Sequence, residues 1–208
     1  MMCLTDSLPN VVAIDGKVYP INTDFRVFIR YEHILKENLT QDVMLEKILL
    51  MFYPDVPDDY EAALNAIIWF YNRGEEEDKR HINMKTVGCN GKPAYDLDID
   101  AGRIYAAFME QYGVDLYDLE YLHWWKFLSM LECLNSDTKM GKVMEYRTID
   151  VNSDKLSKDE KKFYGAMQEY WALDMKISKE EKEQNDALIE ALKNGGDVSE
   201  ILRGGDKH

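Results

Sequence analysis

Two clusters in this sequence gather side chains able to do chemistry. The first is DLDID, with Asp96, Asp98 and Asp100 at alternate positions. Hard divalent cations take several carboxylate oxygens, and alternating acidic residues open the calcium loop of an EF-hand. Counted from Asp96, however, the sixth position is Ala101 rather than glycine and the twelfth is Ala107 rather than glutamate. The same three residues suit a helix N-terminus, where carboxylates complement the positive end of the helix dipole, and that is the preferred reading. If the chain were a metal-dependent enzyme, Asp96, Asp98 and Asp100 would be its ligands.

The second cluster is His123-Trp124-Trp125-Lys126-Phe127. A histidine can act as a general base or a ligand, but a metal centre needs several converging donors. No HxxxH or HxxE pairing surrounds His123, and His33, His81 and His208 are far away in sequence. A histidine at the edge of a core, satisfied by hydrogen bonds, is the better account. Lys126 is no acid–base partner for it. The two indoles do not make a stacking platform either, because adjacent residues on a helix point about 100° apart. Phosphate-cradling glycine loops and a GxSxG nucleophile elbow are both absent from the sequence. No catalytic residue and no cofactor is assigned.

The elements that must position these residues are mostly helical. From Glu120 to Asn135 nearly every position is apolar, and the polar ones recur at every third residue. A helix has about 3.6 residues per turn, so a polar seam of that spacing drifts around the axis. A helix apolar on almost all sides is a buried one, and this stretch is read as the spine of a helical core. Cys133 lies within it and is read as a small core residue. Before it, Asp98 or Asp100 opens a helix through Ile104, Tyr105, Phe108 and Tyr112, closed by Gly113.

Toward the N-terminus, VVAIDGKVYPI places two β-prone runs around Asp15-Gly16, which favours a two-residue type I′ hairpin with Pro20 on an edge strand. Thr23-Asp24 then caps a helix carrying Phe25, Phe28, Ile29 and Leu35. Thr40 caps a second, with Val43, Met44, Ile48 and Phe52 inward. A third repeats Tyr60, Leu64, Ile67, Ile68 and Tyr71. Residues 74–95 are polar and rich in glycine, as in a surface loop or linker.

After Asp137 a short helix with Val143, Met144 and Tyr146 ends near Arg147. Ser157 and Glu160 form a capping box for a helix bearing Phe163, Met167, Tyr170 and Trp171. Ser178 and Glu181 repeat the box before a helix whose apolar face is only Leu188, Ile189 and Leu192. The expected organisation is therefore mainly α, a multi-helix bundle around a central buried helix with a small N-terminal β-hairpin. It comprises a helical domain over 1–176 and a C-terminal helix with a flexible tail over 177–208.

The 208 residues carry a formal net charge of −14, with 46% hydrophobic and 12% aromatic content. That is enough apolar side chain for a core. The charge argues against binding a nucleic-acid backbone or an anionic membrane surface. Cys3, Cys89 and Cys133 form no CxxC pair, so neither a disulfide framework nor a zinc knuckle is expected. MMCLTDSLPN lacks the basic and apolar regions of a secretory signal. No apolar run approaches the roughly 18 residues of a membrane span. Eleven methionines and aromatic helix faces suit adaptable protein binding.

The block YDLDIDAGRIYAAFMEQYGVDLYDLEYLHWWKFLSMLECL, followed by MEYRTID, resembles the gene-product-fifteen family of long-tailed bacteriophages and prophages. The resemblance spans roughly residues 10–175. Its most specific piece is His123 to Phe127, supported by Tyr95-Asp96, Asp98, Asp100, Ile104-Tyr105, Phe108, Tyr112-Gly113 and Tyr146-Arg147. Nothing after Ile177 is matched.

In such phages this gene typically lies between those for the tail tube and the tape measure, where tail assembly chaperones are encoded. The resemblance implies a non-enzymatic assembly factor in the host bacterial cytoplasm. Its partners would be the tape measure protein and the tail tube protein, and a homo-oligomer is compatible with coating a long filament. A structural component of the tail is the alternative within the same family. The resemblance supplies no catalytic residue, and it leaves His123, Trp124, Trp125, Lys126, Phe127, Tyr146 and Arg147 as structural motif positions.

Overall fold

A computed structural model describes residues 5–74 and 92–173. The described residues fall into two compact units, 5–74 and 92–173. The polar stretch 75–91 and the helix expected after Ser178 lie outside the described residues. Among the described residues there are seven helices and one two-stranded antiparallel hairpin, the mainly α fold with an N-terminal hairpin that the sequence predicts. None of these helices is long and apolar enough to cross a membrane.

The first unit begins with the hairpin, β1 (Val11–Ile14) and β2 (Lys17–Pro20). Asp15 and Gly16 both have positive φ, 50° and 75°, as a type I′ turn requires. Alternation buries Val12 and Ile14, and β1 lies against α3 (Tyr60–Tyr71). An isolated hairpin is marginal in water, and this contact supplies its support.

α1 (Phe25–Lys36) is capped by Asp24, whose carboxylate accepts from the Arg26 amide at 3.0 Å and from its guanidinium at 2.7 and 2.8 Å. α2 (Gln41–Phe52) follows. Phe28 is the hub: its ring meets Phe52 edge-on at 4.9 Å and stacks on Phe70 at 5.7 Å. Tyr31 stands against Phe52 and Tyr71, and burial pushes its phenol up to about 12. One inward assignment fails. Val43 sits in the first turn of α2 and is exposed, as is Tyr60 in the first turn of α3, because the core forms where the later turns of these helices converge.

The second unit contains α4 (Ala101–Tyr112), α5 (Trp124–Glu132), α6 (Lys139–Thr148) and α7 (Lys158–Tyr170). Gly113, with φ 65°, ends α4 in the left-handed conformation that a side chain disfavours. α5 is the buried helix of this unit. Trp124, Trp125, Phe127, Leu128 and Leu131 are all buried, and Phe127 stacks on Phe108 at 5.4 Å and on Trp124 at 5.8 Å. It is shorter than the apolar run suggests, starting at Trp124 rather than near Glu120. Tyr121 and Lys126 face outward. Cys133 is exposed at the C-cap, not a core residue. There the Gln111 side chain holds the Cys133 carbonyl at 3.0 Å and the Asn135 amide at 2.8 Å.

Candidate functional site

The charged and aromatic residues singled out by the sequence fall into two settings, both structural in their bonding. His123 is 4% exposed and is the N-cap of α5. Its Nδ1 accepts from the Trp125 amide at 3.0 Å, satisfying one of the donors that every helix start leaves open. Ring packing holds the imidazole edge-on to Trp125 at 5.7 Å. Trp124 and Trp125 lie in the core, and Lys126 projects away from it.

The second setting is centred on Arg147, in the last turn of α6. Its guanidinium reaches three residues remote in sequence, Trp171, Ala94 and Asp100. Nε donates to the Trp171 carbonyl at 2.7 Å, beyond the last residue of α7. Nη1 donates to the Ala94 carbonyl at 3.2 Å and to Asp100 Oδ2. Nη2 donates to Asp100 Oδ1 at 3.1 Å. The pair is bidentate, the geometry in which a guanidinium fits a carboxylate best.

Asp100 receives two more bonds, from the Asp96 amide at 3.0 Å and from Arg103 Nη1 at 3.1 Å. A carboxylate offers about four lone-pair sites, and here all are occupied by protein donors. Asp96 spends Oδ1 on the Asp98 and Ile99 amides, each at 2.8 Å. Asp98 is on the exposed side of this turn. DLDID thus builds a turn leading into α4, with the Asp100 carboxylate turned to Arg147 and Arg103 rather than capping the helix. Among the described residues, no group of three or more His, Cys, Asp or Glu side chains is placed to hold a metal ion.

Trp171 completes the cluster. Arg103 lies over its ring at 5.0 Å and Lys139 at 4.7 Å, each a cation facing the negative π-face. Gln168, the one buried residue of α7, donates to the Ile149 carbonyl at 2.7 Å and accepts from Lys92 at 3.1 Å. Tyr146, next to Arg147, packs against Phe163 and Tyr164 at 6.0 and 6.2 Å.

The sequence reading missed Arg103, Gln168 and the role of Trp171. Arg103 could have been found from its position three residues after Asp100, a helical neighbour of opposite charge. The other two are joined to their partners only through the folded chain.

The arrangement cross-links α4, α6, α7 and the 94–100 segment. No curated protein and no solved structure matches the chain. The family model described as Bacteriophage Gp15 protein does match, over residues 4–173. That span holds both described units and every motif position discussed above, so the chain belongs to the bacteriophage Gp15 protein family.

Proposed function

We propose that this protein is a phage tail assembly chaperone that binds the tape measure protein and helps recruit tail tube subunits, without catalysis. Its family is a phage family, not a known enzyme family. The observation that carries the proposal is where the motif side chains are spent. His123 caps a helix, the tryptophans fill a core, and Arg147 and Asp100 satisfy each other. Among its charged surface residues the second unit also exposes apolar and aromatic ones, including Tyr117 and Met109, and the first unit exposes Leu50 and Val18.

Such surfaces, on a chain of net charge −14, suit transient cover of an amphipathic helix. Its anchors would recur at i, i+3, i+4 and i+7. Methionine-rich and aromatic contacts repack along a partner with varied side chains. The acidic surface keeps the complex dispersed while apolar segments are covered.

Co-expression with the tape measure protein of the same phage genome tests this. The chaperone reading expects more soluble tape measure protein and co-purification of the two. Unchanged solubility without co-purification removes it. Mass spectrometry of purified particles should find the protein absent; stoichiometric copies would make it a tail component instead.

A further inference from the structure

α7 buries a glutamine and leaves large apolar side chains exposed among its charged ones. Its buried residue is Gln168, whereas Phe163 is 50% exposed and Tyr170 73%. Ala166 is exposed as well, and Met167 is half-buried. Phe163, Ala166, Met167 and Tyr170 stand at i, i+3, i+4 and i+7, a single stripe on a helix. Such a stripe ordinarily meets another helix. α6 lies mainly on another side of α7, through Tyr146 against Tyr164 and the Ile149 carbonyl on Gln168, and Tyr146 also meets one edge of Phe163 at 6.0 Å, leaving that ring half exposed.

We infer that two copies of this chain associate through this stripe, with α7 antiparallel to α7 of the second copy. The argument is that the stripe is its own complement. A two-fold axis passing between positions 166 and 167 sets Phe163 against the second copy's Tyr170. It also sets Ala166 against Met167, small against large. An isologous interface requires this kind of match between a patch and itself.

The flanking charges obey the same symmetry. Lys162 and Glu169 are exposed and lie on one flank of the stripe, about 100° and 120° from Phe163 at a helical 100° per residue. Antiparallel two-fold packing brings each flank against the same flank of the mate with its direction reversed, so Lys162 meets the second copy's Glu169. The axis that centres this pair lies one residue from the axis that centres the aromatic pair, about 1.5 Å of helical rise. Unlike charges then face each other and set the register. The inference does not depend on the tail-assembly reading.

Sedimentation equilibrium of the full chain at tens of micromolar is the test. A dimer of twice the 24.3 kDa chain mass is expected. Phe163→Asp should shift it to monomer, and because Phe163 also rests on Tyr146, Tyr170→Asp, whose ring is 73% exposed, should do the same with unchanged far-ultraviolet circular dichroism. Lys162→Glu and Glu169→Lys should each weaken association about tenfold or more, and the double variant Lys162→Glu/Glu169→Lys should regain it. A monomer throughout the range overturns the inference. So does a dimer indifferent to Phe163→Asp, or a double variant no tighter than either single one. Loss of tape-measure binding by Phe163→Asp in a monomeric protein would give the stripe to that partner instead.

Discussion

Arg147 Nη2 donates to Asp100 Oδ1 at 3.1 Å, 47 residues away in sequence, with the two side chains 4% and 0% exposed. Taking two charges out of water is costly, and the pair persists because every lone pair of Asp100 and most donors of Arg147 find partners. Removing one member strands the other.

Arg147→Ala is therefore expected to destabilise the second unit by about 3–5 kcal/mol. Arg147→Lys should recover little, because an ammonium cannot span Ala94, Asp100 and Trp171 as the planar fork does. Urea unfolding followed by indole fluorescence measures both. A loss below about 1 kcal/mol for Arg147→Ala would place the pair among weak surface ion pairs.

The cap at His123 predicts a smaller effect. His123→Ala removes the acceptor of the Trp125 amide and should cost about 0.5–2 kcal/mol. His123→Asn supplies an oxygen in its place and should recover much of that. If both variants lose equally, the ring contact with Trp125 matters more than the cap. Thermal denaturation distinguishes the cases.

Two glycines predict opposite signs. A Cβ on Gly165, inside α7, meets nothing within 4 Å, so Gly165→Ala should stabilise by about 0.5–1 kcal/mol through helix propensity. A Cβ on Gly141 would collide with the Asn135 carbonyl and sit 3.0 Å from the Thr138 hydroxyl that caps α6. Gly141→Ala should therefore destabilise. Equal effects at the two sites would contradict the close approach at Gly141.

The capping box predicts a pH dependence. The Ser157 amide and hydroxyl hold the Glu160 carboxylate below its ordinary value of 4.5. A folded pKa depressed in this way gives stability that is present above the unfolded value and is lost as pH falls through the folded one. Acidification below about pH 4.5 should loosen α7. In Glu160→Gln, where an amide can serve the box without titrating, this part of the acid response should vanish. Circular dichroism across the acid range provides the comparison, and identical profiles would deny the carboxylate its role.

Local signals were the legible ones. Asp15-Gly16 announced its turn, Gly113 its helix end and Ser157 with Glu160 its box, because each works within a few residues of backbone. Apolar density around Trp124 and Trp125 pointed correctly to a buried helix. Its start was hidden because histidine is not among the usual capping residues. The direction of α7 was hidden for another reason: helical spacing shows that Phe163 and Tyr170 share a face, not which way it turns. Asp100 and Arg147 were each noticed, one as a candidate ligand and the other as a motif position. Nothing in sequence spacing joins residues so far apart.

The Trp171 carbonyl on Arg147 Nε has a consequence for synthesis. Translation delivers the 94–100 segment, α4, α5 and α6 before the residue that completes the guanidinium's set of acceptors. Until Trp171 clears the ribosome, the nascent second unit must hold an arginine beside an apolar core with part of its hydrogen bonding left to water. Its final closure therefore waits on Trp171, well after the residues that Arg147 cross-links have been made.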